Sequence, residues 1–177
     1  MTTAASAIDR MAQVDALVTD LANTDPVTRQ RARESLVALG SNEVTAALIA
    51  ELTDPREHVR WEAAKALAAL ANPVSAPALV NALDDDNEDV RWLVAEGLVA
   101  LGKTGLMAVL SSLIRRSGSA TFCRSAHYVL SYCSQESNAK ALAPVLVALT
   151  GPEPGVCVPP TAYAALMALK VGQCVES

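Results

Sequence analysis

"VRWEAAKALAALA", residues 59–71, and "VRWLVAEGLVALG", residues 90–102, repeat one another 31 residues apart and hold both tryptophans of the 177-residue chain. The same step recurs on either side of them. Arg29, Arg60 and Arg91 follow it, as do Leu36, Leu67 and Leu98, and Leu39, Leu70 and Leu101. A second series runs Leu17, Leu48, Leu79, Leu110, and a third Leu21, Leu52, Leu83, Ile114. The turn after the first segment reads Gly40, Ala71, Gly102. A period in this range, with two leucine-bearing segments per unit, predicts an all-α stack of helical hairpins in which each unit covers the apolar face of the next.

Within a unit, the first helix is expected over about 56–70 and the second over about 74–83 of the second repeat. Val59, Ala63, Ala66, Leu67 and Leu70 form its buried stripe. Gly40 and Gly102 suit the left-handed stop after a helix. The spacing divides the single domain into a capping helix at 8–21 and regular repeats at 24–52, 53–83 and 84–114. A divergent repeat follows at 115–149, with helices expected over 121–133 and 138–149. The segment "TGPEPGVCVPP" then reads as a break before a closing helix, about 160–170, within 150–177. End units of a solenoid must cover the core and are usually atypical.

Composition narrows the function. Half the residues are hydrophobic but only 3% are aromatic, so the core is built of thin side chains. A net charge of −5 speaks against a nucleic-acid partner, which needs a concentrated positive face. The N-terminal segment carries Asp9 and Asp15 inside its apolar pattern and reads as neither signal peptide nor membrane span. A cytoplasmic protein without a membrane partner is the expectation.

The pattern D-x-x-x-x-V-R-x-x-A-A-x-A-L-x-x-L-G stands here as "DPREHVRWEAAKALAALA" (54–71) and "DDNEDVRWLVAEGLVALG" (85–102). It resembles the HEAT-like repeat of the phycobilisome-lyase type. The resemblance implies a right-handed α-solenoid of HEAT-like, armadillo type, with the Val-Arg helices lining its concave face. It also implies a possible role in attaching or detaching bilin chromophores on a protein held in that groove. Asp54 and Asp85 are expected to cap their helices, and Arg60 and Arg91 to bridge to aspartates of adjacent repeats, as a structural ladder.

At 100° per residue, Trp61 lies roughly 170° from the centre of the buried stripe, and Trp92 repeats its place. The open positions of the layer are therefore Gln30, Arg31 and Glu34; then Glu57, His58, Trp61, Glu62 and Lys65; then Glu88, Asp89, Trp92, Leu93 and Glu96; then Arg124, Ser125, Tyr128 and Tyr132. Large aromatics on an open helical face, fringed by acids, are the composition of a protein-binding surface. The sequence thus predicts a non-enzymatic adaptor that holds another protein on its concave face. The alternatives are a bilin-lyase-like subunit, with Arg31 or Arg124 meeting the propionates, and a chaperone for a metal-centre protein that uses the cysteine-bearing end.

No phosphate loop, nucleophile elbow or paired-carboxylate frame is present, so no catalytic residue is assigned. His58 and Glu62 stand four apart on one helix but lack the further ligands of a metal site, and neither metal nor cofactor is expected. His127 is expected on the packed side. Cys123, Cys133, Cys157 and Cys174 show no C-x-x-C spacing. Cys133 takes a leucine position, and Cys123 and Cys157 fall where adjacent repeats would bring them face to face.

Overall fold

The computed structural model describes residues 2–135 and 137–171. They form ten α-helices, one short 3-10 turn and no strand. The order is α1 (Thr2–Asp20), α2 (Pro26–Leu39), α3 (Asn42–Glu51), α4 (Glu57–Leu70), the 3-10 turn (Pro73–Ser75), α5 (Ala76–Ala82), α6 (Glu88–Ala100), α7 (Lys103–Arg116), α8 (Ala120–Cys133), α9 (Ala139–Thr150) and α10 (Pro154–Val171). The protein is an all-α solenoid: α2, α4, α6 and α8 pack in sequence as one layer, and their hairpin partners lie behind them. No helix among the described residues is long and apolar enough to cross a membrane.

The leucine series are the spine of the stack. Leu36, Leu67 and Leu98 are fully buried, as are Leu48, Leu79 and Leu110. Val59, Ala63, Ala66 and Leu67 are buried on α4, and Leu70 is partly buried at its end. Alanine and glycine let the helices of this layer approach to backbone contact. A side-chain carbon added at Gly97 of α6 would lie 3.4 Å from the Cα of Ala68 on α4.

The helix ends use other residues than the ladder aspartates. Asp25 caps α2, accepting from the N–H groups of Val27 and Thr28, with Pro26 in the first turn. Ser41, Asn87 and Ser119 cap α3, α6 and α8. Asp54 and Asp85 cap nothing. They stand two residues before the junction and accept from the N–H groups of Arg56 and Asn87, closing a turn that aims the chain into the helix.

Gly40 and Ala71 end α2 and α4 in the left-handed region, at φ 58° and 46°. Ala71 is the sole non-glycine residue with positive φ among the described residues. A Cβ is strained in that conformation by roughly 1 kcal/mol, partly offset by the entropy glycine loses on folding. Ala71→Gly should therefore raise the melting temperature by about 2 °C, read by circular dichroism. An unchanged or lower value would show that Ala71's contacts outweigh the strain.

The C-terminal region departs from the expected repeat. The segment expected to break the chain is helical from Pro154, and Pro159 and Pro160 lie inside α10. Their missing N–H groups release the carbonyls of Gly155 and Val156, which belong to exposed residues that water can satisfy. Val158, Ala162, Ala165 and Leu166 anchor the helix in the core. α10 does not extend the Val-Arg layer after α8. It packs along α7 and α9 and closes the end of the stack from the other side. At the opposite end, α1 covers α2 and α3.

Candidate functional site

The open face of the Val-Arg layer is not uniform. On α4, Trp61 is half-buried and packs against the core. The ammonium of Lys65 lies over its ring at 4.5 Å from the centroid, and the Arg33 guanidinium at 5.8 Å. Both cations lie within cation–π range of the ring and compete with a partner for it. Glu62, expected in the open acidic fringe, is only 4% exposed. It pairs with Arg33 and stands 3.7 Å from Nε of Arg29 on α2. Leu93, expected as an anchor, is 5% exposed and belongs to the core. The cause is the same in both cases. Within the layer α4 and α6 are each flanked by a neighbour on either side, so their buried arc is wider than one stripe. Glu57, His58 and Arg31 are exposed as expected.

One repeat further on, the face opens. Trp92 is 51% and Tyr132 60% exposed, and Tyr128 is also exposed. The Tyr128 and Tyr132 rings lie 6.3 Å apart, tilted by 36°, one turn apart on α8. Between α6 and α8 runs a groove. Its first hollow, about 200 Å³, is lined by Glu88, Arg91, Trp92, Arg124, Ser125 and Tyr128. Its second, about 230 Å³, shares Tyr128 and adds Glu96, Val99 and Tyr132. Tyr132 and Val99 also border a larger cavity of about 640 Å³ where α6, α7, α8 and α10 meet, with Lys103 and Cys133 in its wall. Asp89 is exposed on α6 but lines none of these hollows. Trp92, Tyr128 and Tyr132, with Glu88, Glu96 and Arg124, are thus the expected residues that come together.

The ladder is made once. Arg60 donates from Nε and Nη2 to the Asp85 carboxylate at 2.8 and 3.0 Å, joining the second repeat to the third. Burial alone would raise the Asp85 carboxyl, but the Arg60 bond and the Asn87 N–H outweigh it and hold it below the usual range. Asp54 is held down to about 2, chiefly by its own neighbour Arg56. It pairs within its own repeat, and Arg29 meets the Asn23 and Thr24 carbonyls and Glu62 instead. Arg91 reaches no aspartate of the next repeat. It bonds only the carbonyls of Asp85 and Asp86.

The cysteines give no obvious chemistry. Cys123 is buried and donates to the Ser117 carbonyl at 3.3 Å. Burial pushes the Cys123 and Cys133 thiols up, which makes them poorer nucleophiles. Cys157 is exposed on α10, and all three are free. Cys174 lies outside the described residues. His127 is half-buried, with Nδ1 3.4 Å from the Ser131 hydroxyl. No three His, Cys, Asp or Glu side chains gather as a metal site among the described residues.

Paired helices stacked at a fixed step, with one arginine and one leucine spine per unit, define a helical-repeat protein whose open layer carries a groove. The profile of HEAT repeats matches residues 14–99 and 45–131, and the chain belongs to that family. No curated protein matches the chain.

Proposed function

We propose that the protein is a non-enzymatic, protein-binding adaptor that grips a partner in the groove between α6 and α8 on the concave face of the solenoid. The exposure of Trp92 beside Tyr128 and Tyr132 in one continuous groove carries this reading. HEAT repeats in the chain support an interaction scaffold. Aromatic anchors flanked by charge supply contact area at low entropic cost, and a minority of such residues holds most of the binding energy.

The phycobilisome-lyase resemblance offers a flat tetrapyrrole as an alternative occupant, with Arg124 at the groove to meet a propionate. The groove carries acidic Glu88 and Glu96 beside Arg124, which favours a protein surface of mixed charge over a doubly anionic tetrapyrrole.

The test compares tagged wild type with Trp92→Ala/Tyr128→Ala, each recovered from native lysate, with bound proteins identified by mass spectrometry. Each truncation should cost about 2 kcal/mol of binding, enough to lose the partner, with the helical circular dichroism unchanged. Trp61→Ala should instead keep the partner and lower the melting temperature, because its ring is packed and covered. The same partners on both baits would sink the reading.

A further inference from the structure

The three regular repeats hold their arginines in one posture. Nη1 of Arg29 donates to the carbonyls of Asn23 and Thr24 at 2.9 and 3.1 Å. Nη1 of Arg60 donates to those of Asp54 and Pro55 at 3.0 and 3.4 Å. Nη1 of Arg91 donates to those of Asp85 and Asp86 at 2.8 and 3.1 Å. In each, the acceptors are the residues six and five positions back. The bonds fix the guanidinium plane and leave its Nε–Nη2 edge for something else.

At Arg60 that edge takes the Asp85 carboxylate, 25 residues on. The same offset from Arg91 reaches Arg116, not an acid. Arg116 turns back to Asp84 and the Val80 carbonyl, and its guanidinium lies 4.3 Å from the Phe122 ring centroid. Arg91 is left with no ion pair among the described residues, and its unused N–H groups are not sealed from solvent. It lines the first hollow of the groove. Arg124 lines the opposite wall and makes no hydrogen bond or ion pair among the described residues. Glu88 is the one carboxylate facing these two guanidiniums there.

We infer that the hollow between α6 and α8 receives an aspartate side chain from a segment of the partner protein, which completes at Arg91 the bidentate pair that Asp85 makes with Arg60. This deepens the adaptor reading and rests on it. Arg124 adds a second cation to the bound carboxylate, and Trp92 and Tyr128 pack the residues beside it. The template is internal to the chain: an aspartate carried on a turn, met by a planar guanidinium held from behind. Fork-to-fork geometry of this kind selects carboxylates strongly over neutral isosteres.

The experiment follows the indole N–H resonances of the full chain by nuclear magnetic resonance, with Trp61→Phe assigning the Trp92 signal. The probes are three short peptides: acetyl-Leu-Asp-Asp-Asn-amide, its twin acetyl-Leu-Asn-Asn-Asn-amide, and that twin with a free C-terminal carboxylate. The aspartate peptide should shift the Trp92 resonance saturably and bind at least about tenfold more tightly than the amidated asparagine twin. Arg124→Ala and Arg91→Lys should each weaken it about fivefold. Arg124→Ala should do so with an unchanged melting temperature, since its side chain bonds nothing within the fold. Equal binding of the amidated twins, no shift with any peptide, or undiminished binding in both arginine variants would overturn the inference. Tighter binding of the free-acid asparagine peptide would overturn it too, by giving the site to chain termini. If partner capture still depends on Trp92 and Tyr128 while the titration fails, this inference falls alone. Loss of that dependence removes the adaptor reading itself.

Discussion

Gly105→Ala should cost the fold about 3 kcal/mol or more, lowering the melting temperature by roughly 10 °C. Gly105 lies in the first turn of α7, where it passes over the end of α6. A side-chain carbon added there would lie 2.0 Å from the carbonyl oxygen of Leu98, 2.8 Å from its carbonyl carbon and 3.1 Å from its Cα. All three are backbone atoms, so no rotamer change relieves the clash. The two helices must separate, and Leu98 and Leu106, both in the core, would separate with them. The natural control is Gly118→Ala, where nothing lies within 4 Å of the added carbon. That variant should melt within about 1 °C of wild type, surface changes being worth about 0.5 kcal/mol or less. The paired thermal melts decide the matter: similar values for the two variants would show that α6 and α7 are not in backbone contact in solution.

The repeat was legible because burial on both sides of a hairpin demands the same residue type at the same step, and leucine met that demand at Leu36, Leu67 and Leu98 and at Leu48, Leu79 and Leu110. The hairpins of the first three repeats are α2 with α3, α4 with α5 and α6 with α7. The C-terminal end was less legible. Pro159 and Pro160 read as a break, yet a helix tolerates them where the released carbonyls face water, and nothing in a linear pattern shows which side that is. The choice of α10 over α9 as the neighbour of α7 is likewise a tertiary fact.

The candidate site shows the same limit. A helical wheel finds the side away from the core, and it placed Trp92, Tyr128 and Tyr132 on the open face. It treats each helix as if it had one neighbour. In this layer α4 and α6 each have one on either flank, so Leu93 and Glu62 fall inside the buried arc. Glu62 is accommodated there because Arg33 and Arg29 on α2 neutralise it. Trp61 is covered by Lys65 and Arg33, which leaves the groove one repeat along. Arg91 does not make the expected bridge to an aspartate of the adjacent repeat: its Nη1 bonds two carbonyls of its own repeat, and its other edge is open.

Arg60→Ala should be the costliest change at the surface of the stack, and its cost should depend on pH. Arg60 joins two repeats through the Asp54 carbonyl and the Asp85 and Asp86 carboxylates. Both Arg60 and Asp85 are largely shielded, at 11% and 8% side-chain exposure. Removing one partner of a buried pair strands the other charge and costs about 3–5 kcal/mol; the residual solvent access here brings the expectation nearer 2–3 kcal/mol. Arg91→Ala, which loses two carbonyl bonds and strands no carboxylate, should cost about 1 kcal/mol, less than half as much. The pH dependence separates charge from packing. The folded Asp85 carboxyl is held below its ordinary value of 3.8, so it binds its proton less readily folded than unfolded. The stability it contributes is present in full above about pH 4 and is lost as pH falls below that. In Arg60→Ala the stabilising partner is gone and burial dominates, so the Asp85 carboxyl should rise. The difference in melting temperature between the two proteins should therefore be greatest near pH 7 and shrink toward about pH 3, where Asp85 becomes neutral and no longer needs a cation. Asp54, held near 2 by Arg56, loses its contribution over the same acid range in both proteins and cancels from the difference. A difference that stays constant across that range would assign the loss to the packing of the arginine stem, and the ion pair between the repeats would then contribute nothing to holding them together.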